Sequence, residues 1–167
     1  MIVRAYALGI FPMATARGSH TVHWVAPAMR GILPLDRFHV PKRLRRTLRQ
    51  HRYEIRCDTH FEAVIEACAQ PRPGHPETWI NPAITRATDA SKIALVHLAA
   101  RLRRGRYRLL DAQFLTEHLQ QFGAIEVPSA EYLTLLSEAL RTDAIFYGTL
   151  PPDEESAALA ELLTQSS

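Results

Sequence analysis

Residues 107–114 read Tyr-Arg-Leu-Leu-Asp-Ala-Gln-Phe, an apolar strand pattern that carries a carboxylate, Asp111, and a carboxamide, Gln113, two positions apart. Side chains at i and i+2 of a strand project to one face, so the pattern predicts both polar groups on the same side. An amphipathic run at 90–104 precedes the segment and another at 115–122 follows it. That order predicts a helix–strand–helix unit with 107–114 as its central strand. Polar groups on an interior strand are expensive to bury unless partnered, and an acid beside an amide acceptor is a device for handling the proton of an amine. A strand-end Asp111 that caps the next helix, with Gln113 solvated, is the competing structural reading.

The chain has 167 residues, 47% hydrophobic and 22% charged, with a mean hydropathy of -0.13. Such a composition builds one compact domain, or one domain with a small appendage, and excludes a disordered chain. No apolar stretch approaches the roughly 20 residues that span a bilayer. The first residues lack the apolar core and cleavage site of a secretory signal, so a cytoplasmic protein without membrane attachment is expected. Cys57 and Cys68 sit in no metal-binding or redox spacing and read as reduced thiols. Neither a glycine-rich phosphate loop, a metal constellation nor a Ser/His/Asp order occurs, and no cofactor is expected.

Net charge is only +3, but its distribution is uneven. Lys42, Arg43, Arg45, Arg46, Arg49 and Arg52 fall within eleven positions, and Arg101, Arg103, Arg104, Arg106 and Arg108 form a second cluster. Two arginine-dense patches point to a polyanion such as RNA, against the alternative of a solvated helix face.

Residues 22–25 read as a strand and 31–36 as an irregular or extended stretch. Pro41 is placed to open the basic helix; residues 53–57 alternate as a strand, and a helix carrying Phe61, Val64, Ile65 and Cys68 follows. A turn-rich loop covers 71–76. Gly123 closes the 115–122 helix, and residues 124–127 form a short strand. Ser129 caps a helix to about Arg141 with Tyr132, Leu135, Leu136 and Leu140 as its apolar stripe. Residues 154–163 have the pattern of a weak acidic amphipathic helix. Mixed helices and strands in this order give an α+β or α/β class.

Eight pieces occur in an order that resembles the bacterial leucyl/phenylalanyl-tRNA–protein transferases. They are Ala5-Tyr6 with Gly9-Ile10-Phe11-Pro12-Met13; Trp24 with Pro27 and Arg30-Gly31-Ile32; Phe38-His39-Val40-Pro41; Phe61 through Cys68-Ala69; Thr78-Trp79-Ile80; Ala90-Ser91-Lys92; Asp111-Ala112-Gln113-Phe114; and His118 with Gly123-Ala124. The resemblance runs from about residue 4 to about residue 136. It implies transfer of Leu, Phe or less readily Met from an aminoacyl-tRNA to proteins with N-terminal Arg or Lys, the product being a degradation signal of the N-end rule pathway. It also implies an α+β fold: an N-terminal small α/β domain (1–70), a GNAT-like catalytic domain (71–142) and a C-terminal tail (143–167). Trp79 and Ala90 stand only eleven positions apart, where the family carries several dozen residues, a functional Glu among them. The chain is therefore expected to lack part of the central sheet, leaving strand edges exposed. A catalytically impaired remnant that only binds tRNA is the alternative.

The resemblance implies roles residue by residue. Gln113 would hold the incoming α-amine, and Asp111 would orient the amide and attract the basic N-terminal residue, so that Asp111→Ala abolishes transfer with folding intact. Leu95, Leu98, Leu102 and Leu110 would line the aminoacyl pocket, although their spacing suits plain core packing equally well. Trp24 and Trp79 would meet the 3′-terminal adenosine, base stacking being worth roughly 1–3 kcal/mol, against the alternative of two core tryptophans. Lys42, Arg43, Arg45, Arg46 and Arg49 would contact tRNA phosphates. His39 and His118 match family positions without a local sign of chemistry.

Overall fold

The structure, a computed structural model, describes residues 2–14, 21–50, 52–57, 59–63 and 90–165. Helix α1 (Ile2–Ala7) stops just before Gly9, whose φ of 75° is the left-handed conformation that glycine takes without a Cβ clash. Strands β1 (Phe11–Ala14) and β2 (Val22–Val25) pair antiparallel, with Pro12 opposite Trp24.

Strand β3 (Met29–Leu33) is the middle of a three-stranded antiparallel sheet, flanked by β4 (Leu110–Gln113) and β5 (Ile125–Pro128). Arg30, Gly31, Ile32 and Leu33 are all buried, so β3 lacks the polar-out alternation of a strand with one wet face. The central strand is therefore β3, not the 107–114 segment. Among the described residues β4 pairs on one side only, and it is shorter than its apolar pattern. Arg106 takes a φ of 62°, and Tyr107 N donates back to Leu102 O at 2.9 Å; this wraps the preceding helix end and delays the strand to Leu110.

Helix α2 (Lys42–Arg49) follows Pro41 and buries Leu44 and Leu48, one turn apart. Helix α3 (Ala90–Arg104) turns Ile93, Val96, Ala99, Ala100 and Leu102 inward. Helix α4 (Glu117–Gln120) is one turn, capped by Thr116 Oγ1, which accepts from Leu119 N at 3.3 Å. Gly123, at a φ of 86°, ends this segment as the sequence predicts. Helix α5 (Ser129–Leu140) has Pro128 at its cap position, so Ser129 is its first helical residue and not its cap. Within the expected stripe Tyr132 is buried, Leu135 and Leu136 half-buried and Leu140 exposed. Helix α6 (Pro152–Gln165) packs along α3.

Residues 52–56 form no regular strand, yet Tyr53 and Ile55 still pack on the core, which satisfies their alternation without a partner strand. Residues 61–63 are helical; the remainder of that expected helix, Cys68 and the 71–76 loop lie outside the described residues.

The main core joins Leu33, Phe38, Val40, Leu44, Val96, Phe122 and Leu162, with Phe38 and Phe122 stacked at 5.6 Å. A smaller cluster of Ile32, Val127 and Tyr132 fills the other side of the sheet. Helices pack with two small antiparallel sheets, one of two strands and one of three, and the class is α+β. No described helix is long and apolar enough to cross a membrane.

Candidate active site

Arg30, on β3, is the most deeply buried charge in the described residues, at 1% exposure. Its guanidinium lies between two rings, 4.6 Å from the Phe11 centroid and 4.4 Å from that of Tyr132. Asp111, on the neighbouring strand, receives it in a fork: Nε to Oδ1 at 3.0 Å and Nη2 to Oδ2 at 2.9 Å. The Tyr132 hydroxyl donates to Asp111 Oδ2 at 3.0 Å and accepts from Arg30 Nη2 at 3.2 Å. Burial, aided by the Asp111 charge, pushes the Tyr132 phenol above its ordinary pKa, so it stays a neutral donor. An isolated guanidinium at this depth is strongly disfavoured; fork pairing and two aromatic faces offset that desolvation. Arg30 Nη1 makes no hydrogen bond among the described residues.

The end of β4 departs from regular strand geometry at Gln113. Opposite β3, the register shifts between the pairs Gly31–Gln113 and Ile32–Asp111, leaving Ala112 as a bulge residue. Gln113 has a φ of 64°, rare for a residue with a side chain, and Phe114 N donates to Ala112 O at 2.7 Å across it. These two features make a three-residue turn of the strained kind, and such outliers cluster at active sites. Asp111 Oδ1 accepts from Gln113 N at 2.7 Å. Simple alternation thus fails between the two residues. A side chain to main chain bond, and not a shared strand face, brings them together.

Gly31 makes the turn possible. A Cβ built on it would stand 2.5 Å from the Phe114 carbonyl carbon and 2.7 Å from Leu115 N. Only hydrogen fits where that backbone crosses β3.

The remaining predicted residues are dispersed. Trp24 is 45% exposed on β2, and Trp79 lies outside the described residues. Leu102 is in the main core, and Leu95, Leu98 and Leu110 pack against it partly buried. On α2, Lys42, Arg43, Arg46 and Arg49 are exposed, while Arg45 folds back to donate from Nε to Val40 O at 2.8 Å. The second arginine cluster is largely occupied. Arg101 Nη2 pairs with Glu155 Oε1 at 2.6 Å, Arg104 with Glu154, and Arg103 with Glu161 at 4.0 Å. Arg101 also donates to the carbonyls of Tyr147 and Gly148 and, at 3.4 Å, to Cys57 Sγ. His39 is exposed, and His118 stands edge-on to Phe122.

Among the described residues, cavities of about 570 and 440 Å³ flank the core. Arg106, Tyr107 and Arg108 line the first, and Tyr53, His97 and Glu155 the second; neither contains Asp111 or Gln113. Sequence reasoning missed Arg30 and Tyr132 as a unit, because 81 and 21 positions separate them from Asp111. Spacing carries no signal for such a meeting.

The sequence profile of the leucyl/phenylalanyl-tRNA protein transferase matches residues 32–88 and 83–137, and that family's N-terminal domain profile matches 1–28. The chain belongs to this family of aminoacyltransferases. It is 46% identical to the leucyl/phenylalanyl-tRNA–protein transferase of Paramagnetospirillum magneticum over 189 aligned positions, covering 87% of this chain and 90% of the relative. The Caulobacter vibrioides protein of that name is 44% identical over 88% of each chain, and the one from Phenylobacterium zucineum 40% identical over 99% of this chain and 96% of its own. Since 87% of 167 residues is about 145, the 189-position alignment leaves about 44 positions that this chain does not fill. The two profile blocks meet at 83–88, inside the interval where the sequence places the shortening.

Proposed function

We propose that this chain transfers Leu or Phe, and less readily Met, from aminoacyl-tRNA to the N-terminal Arg or Lys of proteins in the cytoplasm, marking them for N-end rule degradation. What supports it is membership of this transferase family together with a strained Gln113, held through its main chain by Asp111, at the position to which the resemblance assigns the amine. An aminoacyl ester is already activated, so the protein must chiefly position the nucleophile, take its proton and stabilise the oxyanion. The Gln113 carboxamide oxygen is the amine acceptor. Trp24 offers an exposed ring to the terminal adenosine, a role that the resemblance gives to Trp79 as well. Leu95, Leu98, Leu102 and Leu110 form the apolar surround of the aminoacyl side chain, where single methylene differences are worth only about 1–3 kcal/mol. Exposed cations on α2 meet acceptor-stem phosphates without reading sequence.

The test is transfer of labelled Leu from Leu-tRNA to an Arg-starting peptide. Asp111→Ala is a poor control, because it strands the buried Arg30 charge and is expected to lower stability by about 3–5 kcal/mol. Gln113→Gly is the clean one. Glycine relieves the positive φ, so stability should stay level or rise by up to about 1 kcal/mol while transfer is lost. Full transfer by Gln113→Gly rejects the assignment. The unfilled alignment positions favour one second reading, a remnant that binds tRNA without transferring; salt-sensitive tRNA binding with no labelled peptide would select it.

A further inference from the structure

We propose that Arg30 and Tyr132 are positioning residues that act through Asp111 to fix the main chain of Gln113, and thereby aim its carboxamide. The inference rests on Gln113 being the amine acceptor proposed above. A carboxylate offers about four lone-pair positions. At Asp111 they are filled by Arg30 Nε and Gln113 N on Oδ1, and by Arg30 Nη2 and the Tyr132 hydroxyl on Oδ2. No position is left over for a substrate amine, and the guanidinium neutralises the charge that would attract a basic peptide. Asp111 is thus a relay between a buried anchor and a strained backbone, and Gln113 alone meets the amine.

The anchor is built to be rigid. Arg30 is clasped between Phe11 and Tyr132 and is buried on the central strand, so its fork has one orientation to offer. On the far side, Gln113 N is the only main-chain group that Asp111 holds among the described residues, and it belongs to the residue at φ 64°. A strained conformation persists only where its surroundings over-determine it. Here the surroundings are the Asp111 bond on one side and the Gly31 clearance on the other.

The test measures kcat and KM for Leu transfer together with the ¹⁵N–¹H resonance of the Gln113 amide, in wild type, Arg30→Lys and Tyr132→Phe. Lysine keeps the charge but not the fork, and the expected result is a kcat lower by about 100-fold, KM for Leu-tRNA within about twofold, and a displaced Gln113 amide. Tyr132→Phe keeps the ring over Arg30 and the Arg30–Asp111 fork but removes the two hydrogen bonds of the hydroxyl, to Asp111 Oδ2 and from Arg30 Nη2; a smaller loss of about tenfold in kcat with a smaller displacement is expected. If Arg30→Lys does not fold, Tyr132→Phe decides. Folded variants with an unmoved Gln113 amide overturn the inference, as does a moved amide with wild-type kcat. Should the wild-type chain transfer nothing, the Gln113 assignment falls, and the amide resonance alone decides whether Arg30 and Tyr132 set its conformation.

Discussion

Helix α2 and the C-terminal half of α3 are both dense in arginine, yet the fold spends the two sets of charges differently. On α3, Arg101, Arg103 and Arg104 face the glutamates of α6 and are consumed in holding that helix to the core. On α2, no carboxylate pairs with Lys42, Arg43, Arg46 or Arg49 among the described residues, and all four are exposed. Clusters that look equivalent in sequence therefore divide into a structural one and one open to a polyanion. Cationic composition is a guide to nucleic-acid binding only after internal carboxylates have been subtracted.

The contrast can be broken most decisively with tRNA itself. Replacing Lys42, Arg43, Arg46 and Arg49 by Ala should flatten the dependence of log K on log salt by up to about 3 units, while each change moves stability by no more than about 0.5 kcal/mol. An unchanged salt slope in a filter-binding titration would remove α2 from the interface. Next in size, Glu155→Gln strands the buried Arg101 charge and should lower unfolding free energy by about 3 kcal/mol, read as a reduced urea midpoint, with tRNA affinity intact.

The same pair should show in acid. Burial raises the Glu155 pKa, but hydrogen bonds from Arg101 and His97, together with their charges, outweigh it and hold the carboxyl below its ordinary 4.5. A depressed folded value means the stabilisation is complete above about pH 4.5 and fades as pH falls through the folded value. Wild type should therefore lose stability below that pH more steeply than Glu155→Gln; parallel curves would show that the pair is not coupled to folding. The smallest effect belongs to Arg104→Ala at the half-exposed Glu154 contact, about 0.5 kcal/mol or less.

Sequence patterns made the helical elements legible because their signals are local. The inward face of α3, the glycine stop at Gly123 and the apolar face of α6 all depend on neighbours within a few positions. The strands at 22–25 and 124–127 were legible singly, but the central strand and the pairing of the sheet were not. Met29–Leu33 is a five-residue segment between prolines at 27 and 34 and contains an arginine and a glycine, which together disguise a central strand. Its partners are β4 and β5, far along the chain, and no period reports pairing at that range. At the site, Asp111 and Gln113 were visible as a polar pair on a strand. Their true connection was not, since it depends on a bulge at Ala112 and on Arg30, a residue type rarely found inside. The occupancy of the second arginine cluster was equally hidden, because its counter-charges sit about fifty positions away on α6.

Position 31 carries a consequence for how this molecule can change over evolutionary time. With a Cβ there only 2.5 Å from the Phe114 carbonyl carbon, even a methyl group would wedge the crossing chains apart and slacken the kink that Gln113 occupies. One hydrogen atom's width at this residue thus constrains the geometry of the amide, and drift at this locus should be tolerated only in copies that have ceased to need it.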